Sequence, residues 1–331
     1  MGKMTPDTRE QEGVLAGTPD WQPPVTGTGT FSRLPRCPEF GLGEVDLAIL
    51  GIPWDGLVTY RPGARFGPQA IRQASIACRS YSQAMKVDVF KNLKSVDAGD
   101  VDVSIFDFEE TFSRIETRVA ELQQAGAAVV SIGGDHSVLL PILRATSAKH
   151  RQLTLIHIDA HTDTSDTGGN PPHHHGTCIR DAIEEGLIKG ERIFQIGIRG
   201  SFGDAEYLAY GEQSGINLLD MHDFHDPARK AEFTARLRET AGEGPCYLTF
   251  DIDGVDPAFA PGTGTPVPGG LSSFEAIDFL YDLRGLNFVG GDVVEVAPVY
   301  DIETQITSLL AASIVLQIAA LVAIGKPLSK S

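Results

Sequence analysis

Four cysteines in 331 residues, with no CxxC pair, give neither a disulfide framework nor a thiolate zinc site. Reduced thiols in a cytoplasmic protein are the expectation. Basic residues are scarce: 27 Lys and Arg stand against 44 Asp and Glu, a net charge of −17. That balance argues against nucleic acid and other polyanionic partners. No apolar run reaches the roughly 18–20 residues that span a bilayer. The nearest, LLAASIVLQIAALVAI (309–324), reads as a buried C-terminal helix, and no membrane partner is expected. The opening stretch, MGKMTPDTREQEGVLAGTPDWQPP, has no apolar signal core. No GxxxxGKS or GxxxxGKT phosphate loop occurs either.

What is present is the composition of a globular protein, 42% apolar and 21% charged. Residues 1–40, rich in Thr, Pro and Gly, read as an extended or poorly ordered arm. Beyond it, apolar β-rich runs at 45–54, 127–134, 153–160, 192–200, 246–253 and 288–296 alternate with helical stretches at 109–125, 138–150, 178–188, 226–241, 273–284 and 304–323. Strands apolar on both faces, separated by helix-length segments, predict a mostly parallel sheet covered on both sides. The expected fold is a three-layer α/β/α domain over residues 41–331.

The segment LIHIDAHTDT (155–164) places His157, Asp159, His161 and Asp163 on alternate residues. In an extended strand these four share one face. Such a face is a solvated edge, a hydrogen-bonded network or a metal site, because unpaired buried charge is costly. Other strand ends carry similar chemistry: His136 after VVSIGG, Asp251 and Asp253 at the end of CYLTF, and Glu295 after GGDVV. Ligands of open α/β sheets gather outside the carboxyl ends of the strands. His136, Asp159, His161, Asp163, Asp251 and Asp253 together suit Mn²⁺, Ni²⁺, Co²⁺, Fe²⁺ or Zn²⁺, and six side chains allow two ions with bridging carboxylates. Two such ions lower the pKa of a shared water towards about 7. With all six as ligands, the two cations and four carboxylates cancel, so the hydroxide favours a cationic electrophile. His157, deeper in the strand, reads as a hydrogen-bonded histidine behind the site or in the core. His173, His174 and His175 read as a surface run or a proton-transfer element.

GGDHS (133–137), DAHTD (159–163), DIDGVDPAFAPGTGTP (251–266) and EVAP (295–298), with YRPGARFGPQAIR (60–72) upstream, resemble the ureohydrolase family of arginases and agmatinases. The resemblance implies an arginase-like fold and one metal ion, most commonly Mn²⁺ with Ni²⁺ as the alternative, on His136, Asp159, Asp163 and Asp251. It implies a second on His161, Asp159, Asp251 and Asp253, with Asp159 and Asp251 bridging. The implied reaction is attack of a bridging hydroxide on a guanidinium carbon, releasing urea and an amine. Asp253 would accept a hydrogen bond from the hydroxide, Glu295 would hold the guanidinium, and His175 would pass a proton to the leaving amine. Arginases place asparagine shortly after DAHxD; Ser165 falls there in this chain, closer to the agmatinases. HGTCIR in place of the common HGTPFR sets Cys178 beside the expected substrate pocket. Agmatine is the lead substrate, with guanidinobutyrate, guanidinopropionate, guanidine or a biguanide as alternatives. The family commonly forms homo-oligomers, trimers or hexamers. The rival readings are a subunit needing a related partner chain and a single-zinc deacylase.

Overall fold

The computed structural model describes residues 29–37, 45–168, 172–202 and 206–325. Eight strands form one sheet: β1 (Leu47–Gly51), β2 (Ser95–Asp100), β3 (Ala128–Ile132), β4 (Thr154–Ile158), β5 (Ile193–Ile196), β6 (Asn217–Leu219), β7 (Pro245–Asp251) and β8 (Asn287–Val294). Their order across the sheet is β2-β1-β3-β8-β7-β4-β5-β6, and every pairing is parallel. Buried positions run without a break through β1, β3, β4 and β5, as expected of strands covered on both faces.

The principal helices are α1 (Gly67–Ser75), α2 (Phe108–Gln124), α3 (Leu139–Lys149), α4 (Cys178–Glu184), α5 (Glu206–Ser214), α6 (Pro227–Ala241), α7 (Ser273–Asp282) and α8 (Ile306–Gly325). α2 starts where the Asp107 carboxylate accepts a hydrogen bond from Glu110 N at 3.0 Å, with Glu109 and Glu110 favourably placed in the first turn. Its Phe112, Ile115, Val119 and Leu122 recur at helical spacing and pack with α3 and α4 against one face of the sheet. The other face is covered by α1, α6, α7 and α8. α7 opens with a capping box between Ser272 and Glu275.

Three expectations need correction. The C-terminal helix is 20 residues long, so among the described residues it alone is long and apolar enough to cross a membrane. Its apolar window is 72% buried, packed on β8 and α1, and the core accounts for its composition. Residues 29–37 are no loose arm: Phe31 is wholly buried, Leu34 nearly so, and Phe31 N donates to Asp97 Oδ2 at 2.7 Å. Residues 1–28 and 38–40 of the expected arm lie outside the described residues. Finally, β2, β6, α1 and α5 form where no element was expected.

Candidate metal centre

The four central strands β3, β8, β7 and β4 are neighbours and parallel, so their carboxyl ends share one rim. β3 runs into GGDHS, where the chain passes hard against Trp54. A Cβ on Gly134 would fall 1.5 Å from the Trp54 carbonyl oxygen, so no other residue fits. Asp135 then caps a single 3-10 turn, His136–Val138, accepting from Ser137 N at 2.9 Å and presenting His136. β4 ends at Ile158, and Asp163 has a φ of 50°. The DAHTD side chains therefore converge through a bend, not by continued strand alternation, because the ladder pairing of β4 ends at Ile158. Asp251 closes β7 and accepts from Asp253 N at 2.9 Å, placing Asp253 in the next turn. Glu295 follows β8 at a φ of 62°. Backbone in the left-handed region is uncommon for residues with a side chain and recurs at functional sites.

All six expected ligands meet here. His136 Nδ1 lies 2.8 Å from Asp163 Oδ2, 3.1 Å from Asp159 Oδ2 and 3.3 Å from Asp251 Oδ2. His161 Nδ1 lies 3.2 Å from Asp253 Oδ2 and 3.4 Å from Asp159 Oδ1. The two oxygens of Asp159 thus face two separate imidazoles, the arrangement a bridging carboxylate needs. Two groups of potential ligand atoms, on His136, His157, Asp159 and Asp163 and on Asp159, His161 and Asp253, each fit within 4.8 Å.

Two observations show that the donor set suits cations. His136 Nδ1 is buried without a hydrogen-bond partner, although carboxylates surround it. Its Nε2 lies 2.8 Å from Thr249 Oγ1, and that hydroxyl donates its one proton to Asp292 Oδ1 at 2.7 Å. The Thr249 oxygen therefore accepts from Nε2–H, which leaves the Nδ1 lone pair free to bind a metal. Second, burial and then the Asp253 and Asp159 carboxylates push Asp251 well above the usual carboxylate range. Burial pushes Asp253 up as well. Acids crowded this way ionise together only beside added positive charge.

Beneath the rim runs a row of buried polar residues in register across five strands: Ser131, Asp292, Thr249, His157 and Gln195. His157 Nε2 is 2.8 Å from Asp159 Oδ2, and its Nδ1 is 3.0 Å from Gln195 Nε2. With both ring nitrogens engaged, His157 supports Asp159 from behind and is not needed as a ligand. Thr249, Asp292 and Gln195 had no place in the sequence reading. The available signal was Thr249 two residues before Asp251, on the same strand face.

The cavity at the rim has a volume of about 150 Å³ and is bounded by Thr59, Ser165, His174, His175, Tyr207 and Thr265 together with ligand residues. His175 Nδ1 is 2.9 Å from Glu295 Oε1, which also accepts from His136 N at 2.9 Å. Burial opposes a charge on His175, but Glu295 outweighs it and lifts the group to about 9. Glu295 itself is buried beneath His175. Thr265 Oγ1 donates to Asp253 Oδ2 at 3.1 Å. Ser165 reaches the cavity as expected; Cys178 does not. Its buried thiol lies behind Asp163, with Sγ 3.5 Å from Oδ2, so it fills space beside a ligand instead of meeting substrate. His173 turns away to Asp181 Oδ2 at 2.9 Å, and His174 Nδ1 accepts from Gly176 N at 2.9 Å. Thr59 and Tyr207, from segments far away in sequence, were not anticipated.

Imidazoles and carboxylates gathered around a shared aspartate, at the carboxyl edge of a parallel sheet, define a metal-dependent hydrolase. The chain belongs to the Arginase family, whose profile matches residues 45–320. It is 40% identical over 302 residues to a guanidinopropionase of Pseudomonas aeruginosa, covering 91% of this chain and 93% of that one. It is 39% identical over 273 residues to a mitochondrial agmatinase of Gallus gallus, covering 82% and 80% of the two chains. The solved proclavaminate amidinohydrolase of Streptomyces clavuligerus is similar with a TM-score of 0.85 and 39% identity, covering 92% of this chain and all of that one. The protein is a ureohydrolase acting on guanidino compounds, with an arginase-like fold.

Proposed function

We propose that this ureohydrolase cleaves agmatine to putrescine and urea. The supporting observation is the cavity wall: among the described residues it contains no Lys or Arg. A carboxylate tail, as in guanidinopropionate or guanidinobutyrate, would find as counter-charge in that wall only imidazoles, of which His175 is already paired with Glu295, whereas an ammonium tail gains from a chain of net charge −17. The Gallus gallus relative is named an agmatinase.

In this reading His136, Asp159, Asp163 and Asp251 hold one divalent ion, and His161, Asp159, Asp251 and Asp253 the other. Mn²⁺ is the first choice and Ni²⁺ the second. When bound, the ions supply hydroxide near neutral pH and a fixed positive field. Glu295, whose Oε1 is held by the His136 N–H and by His175, would hold the guanidinium. Asp253 would accept a hydrogen bond from that hydroxide. Ser165 contacts the tail, and His175 delivers a proton to the departing amine. A cytoplasmic homo-oligomer, trimer or hexamer, belongs to the same proposal, and light scattering on the purified protein tests its size.

The test is urea release by protein loaded separately with Mn²⁺ and Ni²⁺, on agmatine, arginine, guanidinobutyrate, guanidinopropionate, guanidine and a biguanide. Agmatine is expected to give the highest kcat/KM. Turnover of an acidic guanidino compound with agmatine inert would overturn the substrate, and inertness to all six with two metals bound would overturn the whole assignment.

A further inference from the structure

Thr59 lies 116 residues from His175, yet two of its groups converge on one ring nitrogen. Its backbone N–H donates to His175 Nε2 at 3.1 Å, and its hydroxyl oxygen is 2.7 Å from the same atom. His175 N in turn donates to Leu57 O at 3.1 Å, so the 57–59 segment is tied to the histidine at both ends. The segment is anchored further: Leu57 N donates to Asp135 Oδ2 at 3.0 Å, and Arg61 donates to the carbonyls of Gly264 and Thr263 at 2.9 and 2.8 Å. Thr59 is exposed while also bounding the cavity, whereas the His175 side chain is only 11% exposed.

We infer that the Thr59 hydroxyl is the proton relay between His175 and solvent. The inference rests on the role given to His175 in the reading above. The two Thr59 donors are not equivalent. An N–H can only donate, so it suits the neutral ring, with Nδ1–H directed to Glu295. A hydroxyl both donates and accepts, so it alone serves Nε2 in either protonation state. When Nε2–H gives its proton to the leaving amine, the Thr59 O–H bond breaks towards Nε2 and the oxygen takes a proton from a solvent molecule. One proton moves from solvent to amine, and both residues return to their starting forms. Thr59 is thus a positioning and relay residue, acting through His175.

The experiment compares wild type, T59V, T59A and T59S, loaded with Mn²⁺, on whichever guanidino compound the wild type turns over. T59V and T59A are expected to lose about tenfold or more in kcat with KM within about twofold, a modest part of the 10²–10⁴ that general acid–base catalysis supplies. Added imidazole buffer should restore much of that loss while leaving the wild type unmoved, and T59S should stay within about threefold of wild type. Unimpaired kcat in T59V and T59A overturns the relay, as does equal loss in all three variants without buffer rescue. Misfolding or metal loss in T59V leaves T59A, which places no methyl where the hydroxyl was, to decide. An inactive wild type overturns the functional reading together with the relay; an active wild type beside unimpaired variants overturns the relay alone.

Discussion

Replacing Thr249 with valine removes one hydroxyl at almost constant shape. That hydroxyl has two partners, each fully buried: it accepts from His136 Nε2 at 2.8 Å and donates to Asp292 Oδ1 at 2.7 Å. Without it, an imidazole N–H and a carboxylate oxygen lose their partner where water does not reach. At roughly 1–3 kcal/mol for each of the two stranded groups, the fold should lose on the order of 2–6 kcal/mol. The more telling effect is on the metal. Once Nε2–H has no acceptor, the ring gains by moving its proton to Nδ1, towards the carboxylates of Asp163 and Asp159, and the lone pair that would bind the ion is lost. Loss of such a supporting partner typically weakens a metal by 10–100-fold, or about 1.4–2.7 kcal/mol. Titration of Mn²⁺ against a competing chelator measures this directly, with metal content and melting temperature alongside. T249S, which keeps the hydroxyl, should fall close to wild type. A T249V protein binding Mn²⁺ within threefold of wild type would refute the claim that Thr249 sets the His136 tautomer.

Asp159→Asn should abolish urea release and lower metal content towards one ion or none, measured by elemental analysis; retention of two ions and turnover would remove the bridging role. Glu295→Gln should keep its metal but weaken guanidinium handling. Because Glu295 is what lifts His175 to about 9, the alkaline limb of the kcat profile should also move towards the ordinary histidine value of about 6.5. An unchanged limb would contradict that pairing. The metal-free protein should lose stability as pH rises above about 4, the ordinary carboxylate value. Asp251 and Asp253 are raised above their unfolded values, so the folded chain binds more protons and stability falls with rising pH. Metal-loaded protein should show a flatter dependence, and equal slopes in melting temperature would count against cation neutralisation of this cluster.

The sheet and the metal cluster were legible in the sequence for a physical reason: both are extremes. AVVSI and TLIHI are apolar on both faces, which only a covered strand tolerates, and acids or imidazoles at their carboxyl ends are expensive to bury. The unread strands, β2 (SVDAGD) and β6 (NLL), are the two edges of the sheet. Edge strands are short or partly solvated, so they carry no sustained apolar run. β2 is polar because Asp97 takes a two-point hydrogen bond from Arg72 of α1, a partner no local pattern announces. The same limit applies at the site. His136 and Asp251 stand out as residue types, but Thr249 and Gln195 are ordinary strand residues until the sheet order is known. Only then does parallel register align Asp292, Thr249, His157 and Gln195 beneath the metal ligands. Thr59 was hidden more deeply still, because its role depends on a loop crossing to a histidine 116 residues away. What the linear chain reveals is chemistry that cannot be idle. What it conceals is the set of common residues whose task is to fix a tautomer or pass on a proton, and those roles exist only once the sheet has placed their partners.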